Sequence, residues 1–232
     1  MERRKVVVLS GAGISAESGI STFRDANGLW KNHAIEEVAS PIAWQRDMDL
    51  VLEFYNIRRK QLFEVEPNKG HQALVDLETE FEVDIVTQNV DDLHERAGSS
   101  KVMHLHGELK KVRSTLDENL VYELKNWELK RGDLCEKGAQ LRPHIVWFGE
   151  AVPALDEAAK IVREADILII VGTSMVVYPA ASLIDYAPAL AKIYYIDPNA
   201  HHLAYKKEVQ CISEKASIAL PTLVKELLSS TH

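Results

Sequence analysis

The stretch VVVLSGAGISAESGISTFRDANGLW, residues 6–30, decides the fold of this chain. It opens with the apolar run 6–9, which is typical of a strand buried on both faces of a parallel sheet. Gly11 and Gly13 follow at once and allow a sharp turn that a ligand can approach closely. Residues 14–20 are expected to begin a helix whose free N–H groups face this turn. A strand, a glycine turn and a helix start together predict a phosphate-binding loop.

The pattern G-x-G-x-x-A at residues 11–16 matches the relaxed dinucleotide-binding pattern, although small residues there also serve merely to bring a helix close to a sheet. An ordinary dehydrogenase would place an acidic residue at the end of its second strand to hold the ribose. Here residues 22–28 form a polar loop instead. A nucleotide is therefore expected to be held differently, with Phe23 and Arg24 in a loop that closes over it.

Composition argues against several classes of protein. The 232 residues suffice for one large domain, or for one domain with a smaller insertion. A net charge of −8 argues against nucleic-acid binding, and no apolar run reaches membrane-spanning length. The N-terminal residues lead straight into a strand, which leaves no room for a signal peptide. With only Cys135 and Cys211, we expect no disulfide framework and a cytoplasmic location. No coiled-coil pattern is present, which favours a monomer.

Apolar strand-like segments alternate with helical ones along the chain. This alternation predicts an α/β fold: a Rossmann-like, mostly parallel sheet with helices on both faces. Strands are expected at residues 83–87, 102–105, 143–148, 166–171, 193–196 and 208–212. Helices are expected at residues 35–39, 43–63 (with Pro41 at its start), 71–80, 93–97, 155–164, 180–187 and 220–228.

Segment 109–141 is charge-rich and only weakly periodic, which indicates a smaller inserted module. We expect residues 1–30, 71–108 and 142–232 to form the nucleotide-binding domain. Residues 31–70 and 109–141 would then be the insertions that form the small module.

The predicted strand ends carry small or hydrogen-bonding residues. Ligands of parallel sheets bind beyond the carboxyl ends of the strands. Each cluster is weak evidence alone because loops are commonly polar, but together they outline one polar cleft. The clusters are residues 11–13, 88–91, 106–107, 172–174 and 197–199.

Several motifs together resemble the sirtuins, a family of NAD-dependent protein-lysine deacylases. They are residues 11–30, QNVD at 88–91, HLHG at 104–107, VWFGE at 146–150 and GTS at 172–174. They occur in the family's order and spacing over nearly the whole chain, and look most like bacterial sirtuins of the desuccinylase type. The resemblance implies that an acyl group passes from a protein lysine to NAD, giving nicotinamide and O-acyl-ADP-ribose.

The resemblance assigns catalytic roles to His106, Asn89 and Asp91. His106 would act as a general base on a ribose hydroxyl, which suits histidine because its ordinary pKa is near neutral. Asn89 and Asp91 would bind the ribose and position the nicotinamide end. The implied NAD-binding residues are Gly11, Ala12, Gly13, Ser15, Phe23, Arg24, Trp30, Gln88, Asn89, Asp91, Gly172, Thr173, Ser174, Asp197, Asn199 and Ala216.

His104 and His106 face the same way on a strand and could ligate a metal. Acidic or cysteine partners are not close to them in sequence, which is poor support for that interpretation. With the resemblance, His104 is expected to be a packed or hydrogen-bonded neighbour of His106. Trp147 and Phe148 could be plain core aromatics. The resemblance instead places the main chain at Val146, Phe148 and Gly149 alongside the substrate peptide, as in β-type pairing.

Tyr55 and Arg58 share a face if their segment is helical. Spacing alone favours a core tyrosine and a solvated arginine. The resemblance changes this interpretation, because Tyr-x-x-Arg at this place is similar to the pair that marks sirtuins acting on succinyl- and malonyl-lysine. Arg58 can pair with a carboxylate through two hydrogen bonds, and the tyrosine hydroxyl can donate a third. Such a site favours acidic acyl groups without excluding acetyl.

The chain departs from the family in the small module. Most sirtuins hold a structural zinc there with four cysteines, whereas this module has only Cys135, and Ser114 stands near the expected first ligand. We therefore predict no metal. Apolar side chains are expected to form a small core in its place. They are Leu116, Leu120, Val121, Tyr122, Leu124, Trp127, Leu129 and Leu134.

Two further functions are compatible with this fold. One is mono-ADP-ribosyl transfer, which uses the same nicotinamide cleavage with a different acceptor. The other is a non-catalytic sensor of NAD or ADP-ribose. A sensor would have no need of His106, and Tyr55 with Arg58 favours acyl-lysine over another acceptor.

Overall fold

The computed structural model describes residues 3–20, 29–30, 33–34, 37–173, 180–200 and 208–230. Phe23, Arg24 and Ser174, three of the predicted NAD-binding residues, lie outside the described residues. Of Trp30 only the main chain is described. The roles of these four residues therefore stay predictions.

Strands and helices alternate along the described chain. The strands are β1 (Lys5–Ser10), β2 (Leu29–Trp30), β3 (His33–Ala34), β4 (Glu82–Thr87), β5 (Val102–His104), β6 (Gly107–Ser114), β7 (Val121–Glu123), β8 (Leu141–Ile145), β9 (Ile167–Val171), β10 (Lys192–Ile196) and β11 (Val209–Ile212). The helices are α1 (Ala12–Ala16), α2 (Pro41–Arg46), α3 (Met48–Glu64), α4 (Lys69–Leu77), α5 (Leu93–Ala97), α6 (Leu155–Arg163) and α7 (Ala216–Ser229), with a 3-10 helix at Ala180–Tyr186.

A six-stranded parallel sheet in the order β11-β10-β9-β1-β4-β5 confirms the predicted fold class. The central strand β1 is buried on both faces. Val6 and Val8 contact α4 and α7, while Val7 and Leu9 lie on the opposite face with α6. Because side chains alternate along a strand, a continuous apolar run is what a strand covered on both sides requires.

The predicted helix at 43–63 is in fact two helices. Asp47 leaves the helical conformation between α2 and α3, with φ −151° and ψ 85°, and its carboxylate accepts a hydrogen bond from the Leu50 N–H at 3.0 Å. An aspartate that caps a new helix competes with continuation of the old one, and apolar periodicity does not reveal this competition. Other boundaries also differ from the prediction, since α1 ends at Ala16 and α7 begins at Ala216 rather than near 220.

The small module contains a three-stranded antiparallel sheet in the order β7-β6-β8. Strands β6 and β8 extend past residues 109–141 at both ends. The predicted apolar core of the module is confirmed for Leu129, Tyr122 and Leu124, which pack together. It is wrong for the exposed side chains of Leu116, Val121, Trp127 and Leu134. The buried cluster instead joins Leu129 to Val112 of β6 and to a side chain of α3, Leu52. The module therefore takes part of its core from outside itself.

Candidate active site

Two glycines let the end of β1 touch the end of β9. The Gly11 N–H donates to the Val171 carbonyl at 3.0 Å, and the Gly13 N–H donates to the Gly172 carbonyl at 2.8 Å. A Cβ atom on Gly11 would lie 2.8 Å from the Gly172 oxygen, and one on Gly13 would lie 2.7 Å from the Gly172 Cα. The close approach of these residues to the end of β9 requires glycine at both positions, and their approach to a ligand stays a prediction.

The strand end after β4 connects three elements of the cleft. The Gln88 side-chain amide donates to the Thr173 hydroxyl at 3.2 Å, beside the end of β9. The Asn89 amide donates to the Ser15 hydroxyl of α1 at 3.1 Å. Ser15 and Asn89 are both buried. Residues that the sequence placed on separate strand ends are thus joined by hydrogen bonds at one edge of the sheet.

Asp91 is a buried carboxylate in the same cluster, and burial raises its pKa. Its Oδ1 accepts a hydrogen bond from the Leu93 N–H at 3.2 Å at the start of α5. Ser15 and the nearby charge of His104 also favour the ionised form. The carboxylate is therefore supported by donors on the protein side, as an acceptor for ligand hydroxyls would need to be.

His106 directs its Nδ1 at the Gln88 carbonyl oxygen, 3.0 Å away. A carbonyl only accepts, so Nδ1 carries the proton and the neutral ring is left with an unprotonated Nε2. Burial lowers the pKa of His106, although the bond to Gln88 opposes this. The ring is therefore neutral at physiological pH and able to take a proton at Nε2.

His104 contacts the main-chain carbonyl of Asn89, the residue after Gln88. Its Nδ1 lies 2.9 Å from the Asn89 oxygen, and its Nε2 lies 2.7 Å from a carboxylate oxygen of Glu95. Burial disfavours the charged ring, but the hydrogen bond and the charge of Glu95 outweigh it, so that the pKa of His104 is raised. The expectation of a hydrogen-bonded neighbour is met. Glu95, which holds it, was not predicted.

Tyr55 and Arg58 lie one turn apart on α3, and Tyr55 packs near the buried side chain of Trp147. The Tyr55 and Trp147 ring centres are 6.4 Å apart, and Tyr55 is buried. The Arg58 Cζ lies 5.6 Å from the ring centre of Phe54. Burial raises the pKa of Tyr55, while the positive charge of Arg58 opposes the shift. The tyrosine hydroxyl therefore keeps its proton and remains a donor.

The segment after β8 presents main chain at the cleft. The Val146 N–H donates to the His106 carbonyl at 2.9 Å, which ties this segment to the strand end that carries the histidine. The Phe148 N–H donates to the Ala39 carbonyl at 3.0 Å, while the Phe148 side chain is 45% exposed. Gly149 turns the chain with a φ of 89°. The N–H groups of Val146 and Phe148 are thus bonded within the protein, and the peptide-binding role of this segment stays a prediction.

Three predicted NAD-binding residues lie beyond β10 and at the start of α7. The Asp197 carboxylate accepts a hydrogen bond from the Asn199 N–H at 2.9 Å, and Asp197 is buried whereas Asn199 is exposed. Ala216 is the first residue of α7 and is buried against α4, where a Cβ on Gly70 would lie 3.3 Å from its carbonyl oxygen. The roles of these three residues stay predictions.

A partly buried ion pair beside Trp147 was missed by the sequence analysis. Arg142 lies 3.4 Å from the ring centre of Trp147 and pairs with both carboxylate oxygens of Glu150, at 2.8 and 3.0 Å. The Trp147 N–H of the main chain also donates to Glu150 at 2.8 Å. The motif VWFGE gave a signal, since a carboxylate three residues after a buried tryptophan needs a partner when it is drawn out of water.

Within the described ranges, no group of three or more His, Cys, Asp and Glu side chains is arranged to hold a metal ion. The Cys135 thiol instead lies 3.2 Å from the Ser114 hydroxyl, and that oxygen accepts the Leu116 N–H at 3.1 Å. The absence of zinc stays a prediction for measurement. None of the helices in the described part of the chain is long and apolar enough to cross a membrane.

Comparisons with known proteins agree on one family. The Sir2 family profile matches residues 11–179. The NAD-dependent protein deacylase of Helicobacter pylori is 59% identical over 227 residues, which cover 97% of this chain and 98% of that protein. A crystal structure of a Sir2 homolog–NAD complex has a TM-score of 0.88 at 41% identity and covers 100% of this chain and 92% of that one. A Sir2–p53 peptide–NAD+ complex has a TM-score of 0.79 at 29% identity, covering 98% and 95%.

Proposed function

This chain belongs to the Sir2 family and is an NAD-dependent protein deacylase, and from that premise we propose that it removes succinyl and malonyl groups from protein lysines in preference to acetyl groups. The observation that carries the proposal is the placement of Tyr55 and Arg58 on one face of α3, with Tyr55 beside Trp147. An acyl group entering beside Trp147 would meet both side chains.

Arg58 supports the proposal through its charge. Burial lowers the pKa of the guanidinium, while Tyr55 and Asp91 act in the opposite direction. An arginine starts from a pKa above about 12, so the group stays cationic at neutral pH. A half-buried guanidinium favours a carboxylate that can accept two parallel hydrogen bonds. Succinyl and malonyl groups carry such a carboxylate, and acetyl does not.

The residues at the sheet edge fit NAD as the cosubstrate. The Asn89 amide, the Asp91 carboxylate and the Thr173 hydroxyl form a buried polar set at the carboxyl ends of parallel strands, where nucleotides bind in such folds. Bound NAD supplies a ribose whose bond to nicotinamide is broken and which takes up the acyl group. Trp30, Asp197, Asn199 and Ala216 stay proposed NAD contacts, as do the residues outside the described ranges.

His106 is the proposed general base. Its Nδ1–H is committed to the Gln88 carbonyl, so Nε2 is the atom that takes a proton from a ribose hydroxyl. The low pKa keeps the ring ready to accept a proton at neutral pH. The main chain at Val146, Phe148 and Gly149 would hold the substrate peptide beside it.

The test replaces Arg58 by methionine, which keeps the length of the side chain and removes its charge. We expect kcat/KM for a succinyl-lysine peptide to fall about 30-fold, since hydrogen bonds to charged groups contribute about 1.5–3 kcal/mol. Deacetylation of the same peptide should change less than about threefold, because no carboxylate is lost. Mass spectrometry of deacylated peptide and O-acyl-ADP-ribose gives both rates.

Lys60→Met is the matched control, because Lys60 is an exposed cation on the same helix. It should leave both rates unchanged. Equal loss of desuccinylation and deacetylation in Arg58→Met would show that Arg58 supports the fold rather than the acyl group. ADP-ribose attached to protein, in place of O-acyl-ADP-ribose, would identify a transferase instead.

Cytoplasmic location and a monomeric state remain part of the proposal. Cys135 and Cys211 are both free thiols, which supports a reducing compartment. Sedimentation of the purified chain at micromolar concentration tests the monomer.

A further inference from the structure

His104 and His106 make matched contacts from the end of β5. Each directs Nδ1 at a carbonyl of the strand end after β4, His104 at Asn89 and His106 at Gln88, at 2.9 and 3.0 Å. They differ at the other ring nitrogen, because His104 Nε2 lies 2.7 Å from Glu95. The side chain of His104 is only 7% exposed. The contact joins the buried ring to a more exposed carboxylate and has no use in the mechanism described so far.

Both ring nitrogens of His104 face acceptors, so both donate and the ring is an imidazolium. Several charged groups lie around it. Glu95 and Glu108 favour its charge, and its own charge favours ionisation of Asp91. His94 of α5 also faces it and stays neutral, because burial lowers its pKa. Lys111 pairs with Glu108 at 2.6 Å and also lies near Glu95.

Asn89 is held at three atoms. Its N–H donates to the Thr87 hydroxyl at 3.0 Å, its side-chain amide donates to Ser15 at 3.1 Å, and its carbonyl accepts from His104. Of these contacts, the one to His104 comes from a ring that is also bonded, at its other nitrogen, to the Glu95 carboxylate. A shift of the main chain here would move both Asn89 and the carboxylate of Asp91.

We propose that His104, held between the Asn89 carbonyl and the Glu95 carboxylate, is a positioning residue for NAD-dependent deacylation. The His104–Glu95 pair fixes the main chain from which Asn89 and Asp91 reach the cofactor side of the cleft. The pair makes no hydrogen bond to the proposed peptide-binding residues Val146, Phe148 and Gly149, nor to Tyr55 or Arg58, among the bonds described above. The inference rests on the NAD-dependent deacylase activity and is independent of the acyl preference proposed above.

The pair also predicts a pH dependence with a definite sign. The pKa of His104 is raised, so the imidazolium persists at neutral pH and is lost as the pH rises through its folded pKa. A neutral ring that keeps its Nδ1 proton presents a bare Nε2 to the Glu95 carboxylate, and the contact is lost. Turnover at limiting NAD should therefore decline on the alkaline side.

Four variants test the assignment. His104→Leu removes both contacts, His104→Asn keeps a donor near the Nδ1 position, and Glu95→Gln keeps an acceptor without its charge. Glu108→Gln is the matched control, because it removes a nearby carboxylate that is not hydrogen-bonded to His104. Each is assayed with NAD varied and one acyl peptide in excess, and again with the peptide varied, using an acetyl and a succinyl peptide in turn.

We expect His104→Leu to lose about tenfold in kcat/KM for NAD with both peptides, which is about 1.4 kcal/mol, and to leave KM for the peptide unchanged. His104→Asn should recover part of this loss. Glu95→Gln should move the alkaline limb to lower pH by more than Glu108→Gln does, because Glu95 acts on His104 through a hydrogen bond as well as its charge. Nitrogen chemical shifts of His104 at neutral pH should show both ring nitrogens protonated in the parent and not in Glu95→Gln.

An unchanged kcat/KM for NAD in a folded His104→Leu variant would overturn the proposal. If that variant does not fold, His104→Asn and Glu95→Gln decide, and parent-like pH profiles in both would overturn it equally. A loss confined to the succinyl peptide would concern the acyl site and would also count against the positioning role.

Discussion

The carboxyl edge of the six-stranded sheet and the three-stranded module hold their polar side chains in different ways. At the sheet edge, His104, His106 and Asn89 are fixed by bonds to neighbouring main-chain or buried groups. In the module, polar side chains form exposed ion pairs, such as Asp117 with Lys137 at 2.7 Å. Exposed pairs of this kind contribute little to stability. The contacts at the sheet edge therefore fix the positions of functional side chains. The exposed pairs of the module do not, so other contacts must attach the module to the rest of the chain.

A buried cation adds to the apolar contacts that attach the module to α3. Arg59 of α3 is fully buried and donates to the Leu109 carbonyl, to the Asn56 side chain at 2.8 Å and to the Trp127 carbonyl at 2.7 Å. Burial lowers its pKa to about 10, so it remains charged at neutral pH. Within the described residues, these three hydrogen bonds all go to neutral oxygens. The comparison of the two regions shows that the module is held by α3, the helix that also carries Tyr55 and Arg58.

The largest effect on activity is expected from a substitution at the carboxyl edge of the six-stranded sheet. His106→Ala removes the proposed base while leaving the glycine loop intact. We expect deacylation to fall about 10²- to 10⁴-fold, the usual contribution of general base catalysis. Binding of NAD, followed by calorimetry, should change little. Retention of more than a tenth of the activity would require another group to take the proton.

The second effect tests the link between the regions. Arg59→Met leaves the Leu109 and Trp127 carbonyls buried without a donor, so we expect a loss of about 3 kcal/mol in the free energy of unfolding. Urea unfolding measures this loss, and limited proteolysis should show earlier cleavage within the module. Arg59→Lys serves as the control and should lose less. A variant as stable as the parent would show that desolvation of the guanidinium outweighs its hydrogen bonds.

The smallest effect is expected in the module. If no zinc is bound, a chelator should leave the thermal midpoint unchanged, because Ser114 and Cys135 already satisfy one another. Elemental analysis of the purified chain should find no stoichiometric metal. One zinc per chain, or a clear drop of the midpoint in chelator, would contradict the prediction.

The sheet and its functional edge could be predicted because they follow from short patterns. The apolar run of β1 and the glycines after it determine the local conformation, and parallel strands then place their carboxyl ends together. Gln88, Asn89 and Thr173 meet as expected for this reason. The family resemblance supplied the order of the motifs, and the match of the Sir2 profile agrees with it.

The module and the supporting contacts could not be predicted because they depend on distant partners. Leu129 is buried against Leu52 of α3, a residue far away in the sequence. Leu116 lies in the same module but is exposed. Glu95 follows the QNVD motif by only a few residues, but its role appears only once β5 brings His104 against it. Local periodicity carries no information on such contacts.

The central claim is that Tyr55 and Arg58 select an acidic acyl group. The most direct measurement is the ratio of kcat/KM for succinyl-lysine and acetyl-lysine on one peptide sequence, with saturating NAD and the unaltered chain. The account predicts a ratio of about ten or more, the value of one charge-assisted hydrogen bond. A ratio of one or less would contradict it.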